Sequence, residues 1–129
     1  MPQLNQREIK ITKCDTNGKL AKIGCPHHFY IILSMNKYNQ IASELLGVPL
    51  TSKINDFTLN YGLDITNDDI EGDFALDKQT FILCDRPCRI SKSDLGTMKT
   101  DGSRISKELF TRIVDNISHF IRYGKRLGA

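Results

Sequence analysis

The carboxy-terminal part of the chain places Ile105, Leu109, Ile113, Ile117, Phe120 and Ile121 three to four residues apart. That spacing lines apolar side chains along one face of an α-helix. Lys107, Glu108, Arg112, Asp115 and His119 fall on the other faces. Ser106 stands where an N-cap hydroxyl is needed, and Gly124 where the chain has to leave the helix. A helix of about seventeen residues is roughly 25 Å long. Its apolar stripe must lie on something, so the preceding chain has to supply the surface.

That preceding chain reads as strands. Glu8 to Thr12 alternates polar and apolar residues, as a short strand does. His28 to Leu33 is a nearly continuous apolar and aromatic run, expected of a strand covered on both faces. Val48 to Thr51 is a shorter candidate whose Pro49 suggests an edge or a strand start. Phe57, Leu59, Tyr61, Leu63 and Ile65 occupy every second position, which predicts a half-buried strand over 57–65. Phe74 to Leu76, Thr80 to Cys84 and Arg89 to Ser91 complete the set, with turns at 15–18 and 24–26. Strands first and a helix last predict a mainly β, α+β domain over 1–129: a small SH3-like barrel closed by the terminal amphipathic helix.

Composition sets limits on this picture. With 129 residues, 40% hydrophobic and 26% charged, the chain suits one soluble globular domain with a real core. No apolar run reaches the ~20 residues of a membrane span. Met1 to Lys13 has no apolar signal-peptide core, so a cytoplasmic setting with reduced cysteines is expected. A net charge of +3 says little alone, but its distribution is uneven. Six carboxylates lie between Asp64 and Asp77 without a Lys or Arg, whereas Arg86, Arg89, Lys92, Lys99, Arg104 and Lys107 follow. A fold gathering those bases on one side would suit a polyanion.

Three constellations invite chemistry. Cys25-Pro26-His27-His28, with Cys14, Cys84 and Cys88, offers metal-ligand types. In an extended strand, however, Cys84 and Cys88 would be ~13 Å apart, so no metal is expected. The carboxylates from Asp64 to Asp77 do not have the spacing of a calcium loop and read as a solvated turn. The third set lies at strand ends: His27 and His28 before one strand, Thr51 and Ser52 after another, Asp85, Arg86 and Arg89 after a third. Strand ends are polar wherever they meet water, but they are also where sites are assembled.

The order of these blocks resembles the PemK/MazF toxin family. That family has a glycine-containing loop, then Arg-Pro and an aliphatic run ending in serine; here Gly24-Cys25-Pro26-His27-His28-Phe29-Tyr30-Ile31-Ile32-Leu33-Ser34 stands in that place. A strand ending Pro-[Ile/Leu]-Thr-Ser is matched by Val48-Pro49-Leu50-Thr51-Ser52. A hydrophobic strand running into Cys-Asp, then arginines and an Ile-x-Lys-x-x-Leu-Gly tail, is matched by Phe81 to Gly96. The resemblance covers residues 20–123 or so, by three short blocks in the right order. The family's Arg-Pro arginine falls on His28 and its proline on Phe29. The arginine after Cys-Asp falls on Cys88, between Arg86 and Arg89.

The resemblance implies a metal-independent endoribonuclease without cofactor, cutting single-stranded RNA by attack of the ribose 2′-OH on its own phosphodiester. It further implies a homodimer and an antitoxin partner that blocks the RNA groove. His28, helped or replaced by His27, would move protons, since imidazole titrates near ~6.5. Arg86 would stabilise the phosphate, Thr51 would hydrogen-bond it, and Asp85 would orient a histidine or an arginine. Ser52, Lys53, Arg89 and Lys92 would hold RNA, with Phe29, Tyr30 or Tyr38 as base-pocket candidates and His119 simply exposed. Two other readings stay open: a non-catalytic toxin of the same fold that poisons a protein target such as a topoisomerase, and a non-cleaving RNA-binding module.

Overall fold

A computed structural model describes residues 4–11, 29–95 and 102–128. The terminal helix is α3 (Lys107–Tyr123), and both of its predicted ends are in place. Ser106 Oγ accepts the Leu109 N–H at 3.1 Å, and Gly124 turns the chain out of the helix at φ 72°. Leu109 and Ile113 are buried in the core with Ile9, Ile31, Val48 and Ile82. Ile121 is not part of that face: it is 74% exposed, because the helix runs past the sheet in its last turn.

The surface under α3 is antiparallel sheet. Strands β1 (Ile9–Ile11), β2 (Phe29–Ile32), β3 (Glu44–Thr51), β4 (Leu63–Ile65), β6 (Thr80–Ile82) and β7 (Cys88–Ser91) form one six-stranded sheet. Its path runs β1-β2-β3-β6-β4, and β7 joins it on β3. Strands β5 (Ile70–Glu71) and β8 (Arg104–Ile105) make a separate ribbon. Among the described residues the strands do not close on themselves, so the expected barrel is instead an open, mainly antiparallel sheet carrying one long helix. Among the same residues, no helix is long and apolar enough to cross a membrane.

Strand β3 is longer than its sequence suggested and is central, not an edge. It pairs with β7 over Glu44–Gly47 and with β6 over Leu50–Thr51. Pro49 sits between those two ladders, so the N–H that proline lacks falls where one partner hands over to the next. Its carbonyl still accepts the Leu83 N–H at 2.9 Å. Gly47 is required for space: a Cβ there would lie 2.4 Å from Ile90 Cδ1 and 3.2 Å from the Ile31 carbonyl oxygen. Strand β1 also departs from its alternation. Glu8 and Lys10 are both buried and form an ion pair at 3.6 Å.

The predicted strand over 57–65 is mostly helix. α2 (Asp56–Tyr61) occupies its first part, and only Leu63–Ile65 is strand. A capping box decides it: Asn55 Oδ1 accepts the Thr58 N–H at 2.9 Å, and Thr58 Oγ1 accepts the Asn55 N–H at 3.0 Å. Phe57 and Tyr61 then meet one turn apart, with ring centroids 4.9 Å from each other. Gly62 ends the helix where a Cβ would be 2.5 Å from the Thr58 carbonyl oxygen. Helix α1 (Asn36–Ile41) had no sequence signal. Buried Asn39 anchors it, donating to the carbonyls of Leu4 and Ser34 at 2.9 Å each.

The Phe74–Leu76 segment is a loop whose backbone partner is a side chain. Asn67 Oδ1 accepts the Leu76 N–H at 2.6 Å, and its amide donates to the Leu76 carbonyl at 3.2 Å. The acidic stretch is not one solvated turn: Asp64 lies in β4 and Glu71 in β5, where it pairs with Arg104 at 2.9 Å. A single 3₁₀ turn over Asn67–Asp69 lies between them, with Asp69 Oδ2 accepting the Thr66 N–H at 3.0 Å. Ile113→Ala should cost about 2–5 kcal/mol, since its side chain is fully buried and would leave a cavity. Asn55→Ala should cost about 1 kcal/mol through the lost cap of α2. Urea unfolding of the two variants checks both, and a negligible loss for Asn55→Ala would contradict the helical assignment.

Candidate functional site: a basic, aromatic-walled cleft

Several pieces of chain bound an open cleft of about 930 Å³. The end of β3 and the following loop bring Leu50, Thr51, Ser52, Lys53 and Asn55. Helix α2 adds Phe57 and Thr58, and the turn after β6 adds Leu83 and Arg86. The opposite wall holds Phe29, Phe74, Asp77 and Lys78, with the Phe29 and Phe74 rings 5.0 Å apart. Lys53, Lys78 and Arg86 face a single carboxylate, Asp77, among the lining residues. The cleft therefore favours an anion, and its rings offer stacking surface.

Thr51 is the last residue of β3, opposite Phe81 on β6. Its Oγ1 accepts the Lys53 N–H at 3.1 Å, which folds the loop back. The hydroxyl proton is then available to donate. Arg86 reaches the same cleft because the turn after β6 is tied to β3. Leu83 N–H donates to the Pro49 carbonyl at 2.9 Å, and Arg86 N–H to the Leu83 carbonyl at 3.0 Å. The guanidinium lies 4.6 Å from the Phe57 ring centroid, and its Nε is 3.5 Å from Asp85 Oδ2.

Thr51, Ser52, Lys53 and Arg86 are thus brought together. Asp85 sits beside Arg86 with its side chain only 9% exposed, and its Oδ1 is buried without a hydrogen-bond partner among the described residues. Arg89 and Lys92 lie elsewhere. Arg89, on β7, is paired with Leu46 of β3 and its guanidinium is 3.7 Å from Glu44; Lys92 N–H donates to the Ser43 carbonyl. Both are at the start of β3, roughly 17–26 Å from Thr51 along the strand. His27 and His28 lie outside the described residues, as do Cys14 and Cys25.

Of the base-pocket candidates, Phe29 lines the cleft. Tyr30 is fully buried in the core, and Tyr38 is exposed on α1 away from it. His119 is half-buried, its ring 4.7 Å from Tyr123. Phe57, Phe74 and Lys78 were missed. Phe57 was legible through the Asn55-x-x-Thr58 cap, whereas the other two enter only through long-range packing. Among the described residues no three His, Cys, Asp or Glu groups converge as a metal site would require.

Solved structures share this architecture. A mycobacterial endoribonuclease in complex with its cognate antitoxin superposes with a TM-score of 0.64 at 12% identity, over 93% of this chain and 96% of that one. MazF from Deinococcus radiodurans gives 0.64 at 10% identity over 95% and 99%. A Mycobacterium tuberculosis MazF toxin gives 0.58 at 17% identity over 90% and 97%. The chain has the fold of these toxins over nearly its whole length. No protein-family model matches the sequence, and no curated relative does.

The cysteine beside the site is inert. Burial, together with the carboxylate of Asp85 and against the pull of Arg112, pushes the Cys84 thiol up from 9.0 to about 12. Its thiolate is therefore negligible at pH 8. Iodoacetamide at that pH should leave Cys84 unlabelled in the folded protein and label it in denaturant, read by peptide mass mapping. The raised value also has a sign for stability. The unfolded thiol ionises from about pH 9 while the folded one stays neutral, so this group's contribution falls as pH rises from about 9 to about 12.

Proposed function

We propose that this chain is the toxin of a toxin–antitoxin pair, a metal-independent endoribonuclease that cleaves single-stranded RNA in the Thr51–Arg86 cleft. The observation that carries the reading is this convergence: a hydroxyl, a guanidinium and two lysines in an aromatic-walled groove, on a fold shared with proteins described as endoribonucleases. Homodimerisation, an antitoxin that occupies the groove and a cytoplasmic location belong to the same reading. The D. radiodurans MazF is also known in complex with MazE, which supports the antitoxin.

In this mechanism a base takes the proton of the ribose 2′-OH as its oxygen bonds to phosphorus. The P–O5′ bond breaks, and an acid gives O5′ its proton. The products are a cyclic phosphate and a free 5′-OH. His28 or His27 is assigned to this proton traffic. The support is sequence adjacency, because Phe29, the next residue, lines the cleft. Arg86 neutralises charge gathering on the phosphorane, as a fixed donor does best in a confined site. Thr51 donates to a non-bridging oxygen, and Asp85 holds Arg86 from behind. Ser52 and Lys53 follow the phosphate backbone at the cleft rim. Arg89 and Lys92 would act only on RNA extending past the cleft, over the far end of β3.

Incubation with a long RNA in EDTA should yield discrete cuts bearing 5′-OH ends. Arg86→Ala should slow cleavage about 10²- to 10³-fold, the usual effect of removing one transition-state donor, and His28→Ala should abolish it in a folded protein. Affinity for uncleaved RNA should fall with rising salt. Intact RNA with a mobility shift would convert the reading to an RNA-binding module. Intact RNA without a shift would favour a protein target.

A further inference from the structure

Arg86 carries the phosphate chemistry of the proposed site, yet what holds it there is weak in polar terms. Its side chain is 57% exposed, and its one ionic contact among the described residues is a 3.5 Å approach of Nε to Asp85. With the guanidinium half in solvent and the contact as long as 3.5 Å, that pair by itself fixes the group only loosely. Behind it stands something more extensive. The guanidinium lies over Phe57. Phe57 packs on Tyr61 at 4.9 Å, and Tyr61 meets the ring of Phe120 on α3 edge-on, at 6.0 Å and 86°.

Helix α2, which carries Phe57 and Tyr61, is only six residues long. Helices that short do not hold themselves together in water, and their last carbonyls need outside donors. Here the donor comes from the chain's end. Arg126 Nη1 donates to the carbonyls of Leu59 at 3.2 Å and Gly62 at 3.0 Å. The neighbouring Leu127 N–H is fixed on buried Asn116 Oδ1 at 3.2 Å. A cation on a helix C-terminus also opposes its partial negative charge favourably.

We propose that Phe57 is the positioning residue of Arg86, and that Arg126 clamps α2 so that Phe57 stays in place. The functional part rests on the cleft being the RNA site. The positional part does not. One face of the guanidinium is held against the ring and one edge against Asp85, which leaves the Nη groups to meet phosphate.

Two readouts separate the parts. In a double-mutant cycle, Phe57→Leu should slow RNA cleavage about tenfold in the wild-type background and have no further effect in Arg86→Ala. Phe57→Tyr should restore the rate. An equal loss in both backgrounds would overturn the proposal, because Phe57 would then act on RNA or on the fold directly. Independently, the Arg86 Nε–H resonance of the free protein should be displaced by the Phe57 ring current. It should move in Phe57→Leu, stay in Phe57→Tyr, and move part of the way in Arg126→Gln. An unmoved resonance in Phe57→Leu refutes the positioning whatever the activity. If Arg86→Ala leaves cleavage untouched while the resonance behaves as expected, the RNA-site reading fails and the positioning stands. Should Phe57→Leu not fold, Arg126→Gln retains the Phe57 side chain while loosening its helix and carries both readouts, with a smaller loss of rate that vanishes in Arg86→Ala.

Discussion

Strand β3 is the member on which the other elements depend. It pairs with β2, β6 and β7, and most of its residues are buried. A central strand has to satisfy its backbone on both edges, and β3 does so with three partners, changing between two of them at Pro49. Two local choices make that possible. Gly47 lets Ile90 of β7 close over the strand, and Pro49 has no N–H to leave unpaired at the handover. Antiparallel register takes β6 from Phe81 opposite Thr51 to Ile82 opposite Leu50, and the Leu83 N–H on the Pro49 carbonyl holds the turn from which Arg86 reaches the cleft that Thr51 lines. The cleft thus combines the pairing of β3 and β6 with the loops that follow β3 and precede β6.

The parts of this fold legible in the sequence are those whose signal is local. Ser106 and Gly124 mark α3 because caps are decided within a turn, and the buried run at 29–32 needs only its own apolarity. The segment 57–65 misled because alternation can coincide with helical spacing. Phe57 and Tyr61 are two apart in the alternating set and also one helical turn apart. The cap at Asn55 and Thr58 decides between these, and it is polar chemistry that an apolar pattern does not weigh. Other features were out of reach for a different reason. Asn67 pairing with Leu76, Asn39 with Leu4, and Phe74 with Phe29 join residues distant in sequence and follow from the assembled sheet.

The candidate site shows the same division. Thr51, Ser52, Lys53 and Arg86 were found because strand ends can be located from sequence, and all four share one cleft. Arg89 follows Arg86 by only three residues, yet β7 carries it to the other end of β3. Proximity in sequence is a poor guide where a turn intervenes, as Pro87 shows. Asp85 illustrates the opposite case. It reads as one more polar strand-end residue, but its side chain is turned into the protein, where its negative charge helps keep Cys84 protonated.

These placements bear on how the proposed RNA cleft is built, since His28 falls where the resembled family has its Arg-Pro arginine. Phe29 stands where that proline would be, and its ring joins Phe74 as a wall of the cleft, adding stacking surface where a proline would offer less. The cost is cationic. Among the described lining residues, Arg86 is the single guanidinium. Lysines supply charge, but as flexible point cations they do not fix a planar fork against a phosphate. A site with one guanidinium depends more on where that group is held than a site with two. In the proposed arrangement a ring holds that group, a short helix holds the ring, and two hydrogen bonds from the Arg126 side chain hold the end of the helix. The position of the guanidinium thus depends on packing across three elements more than on its single long ion pair.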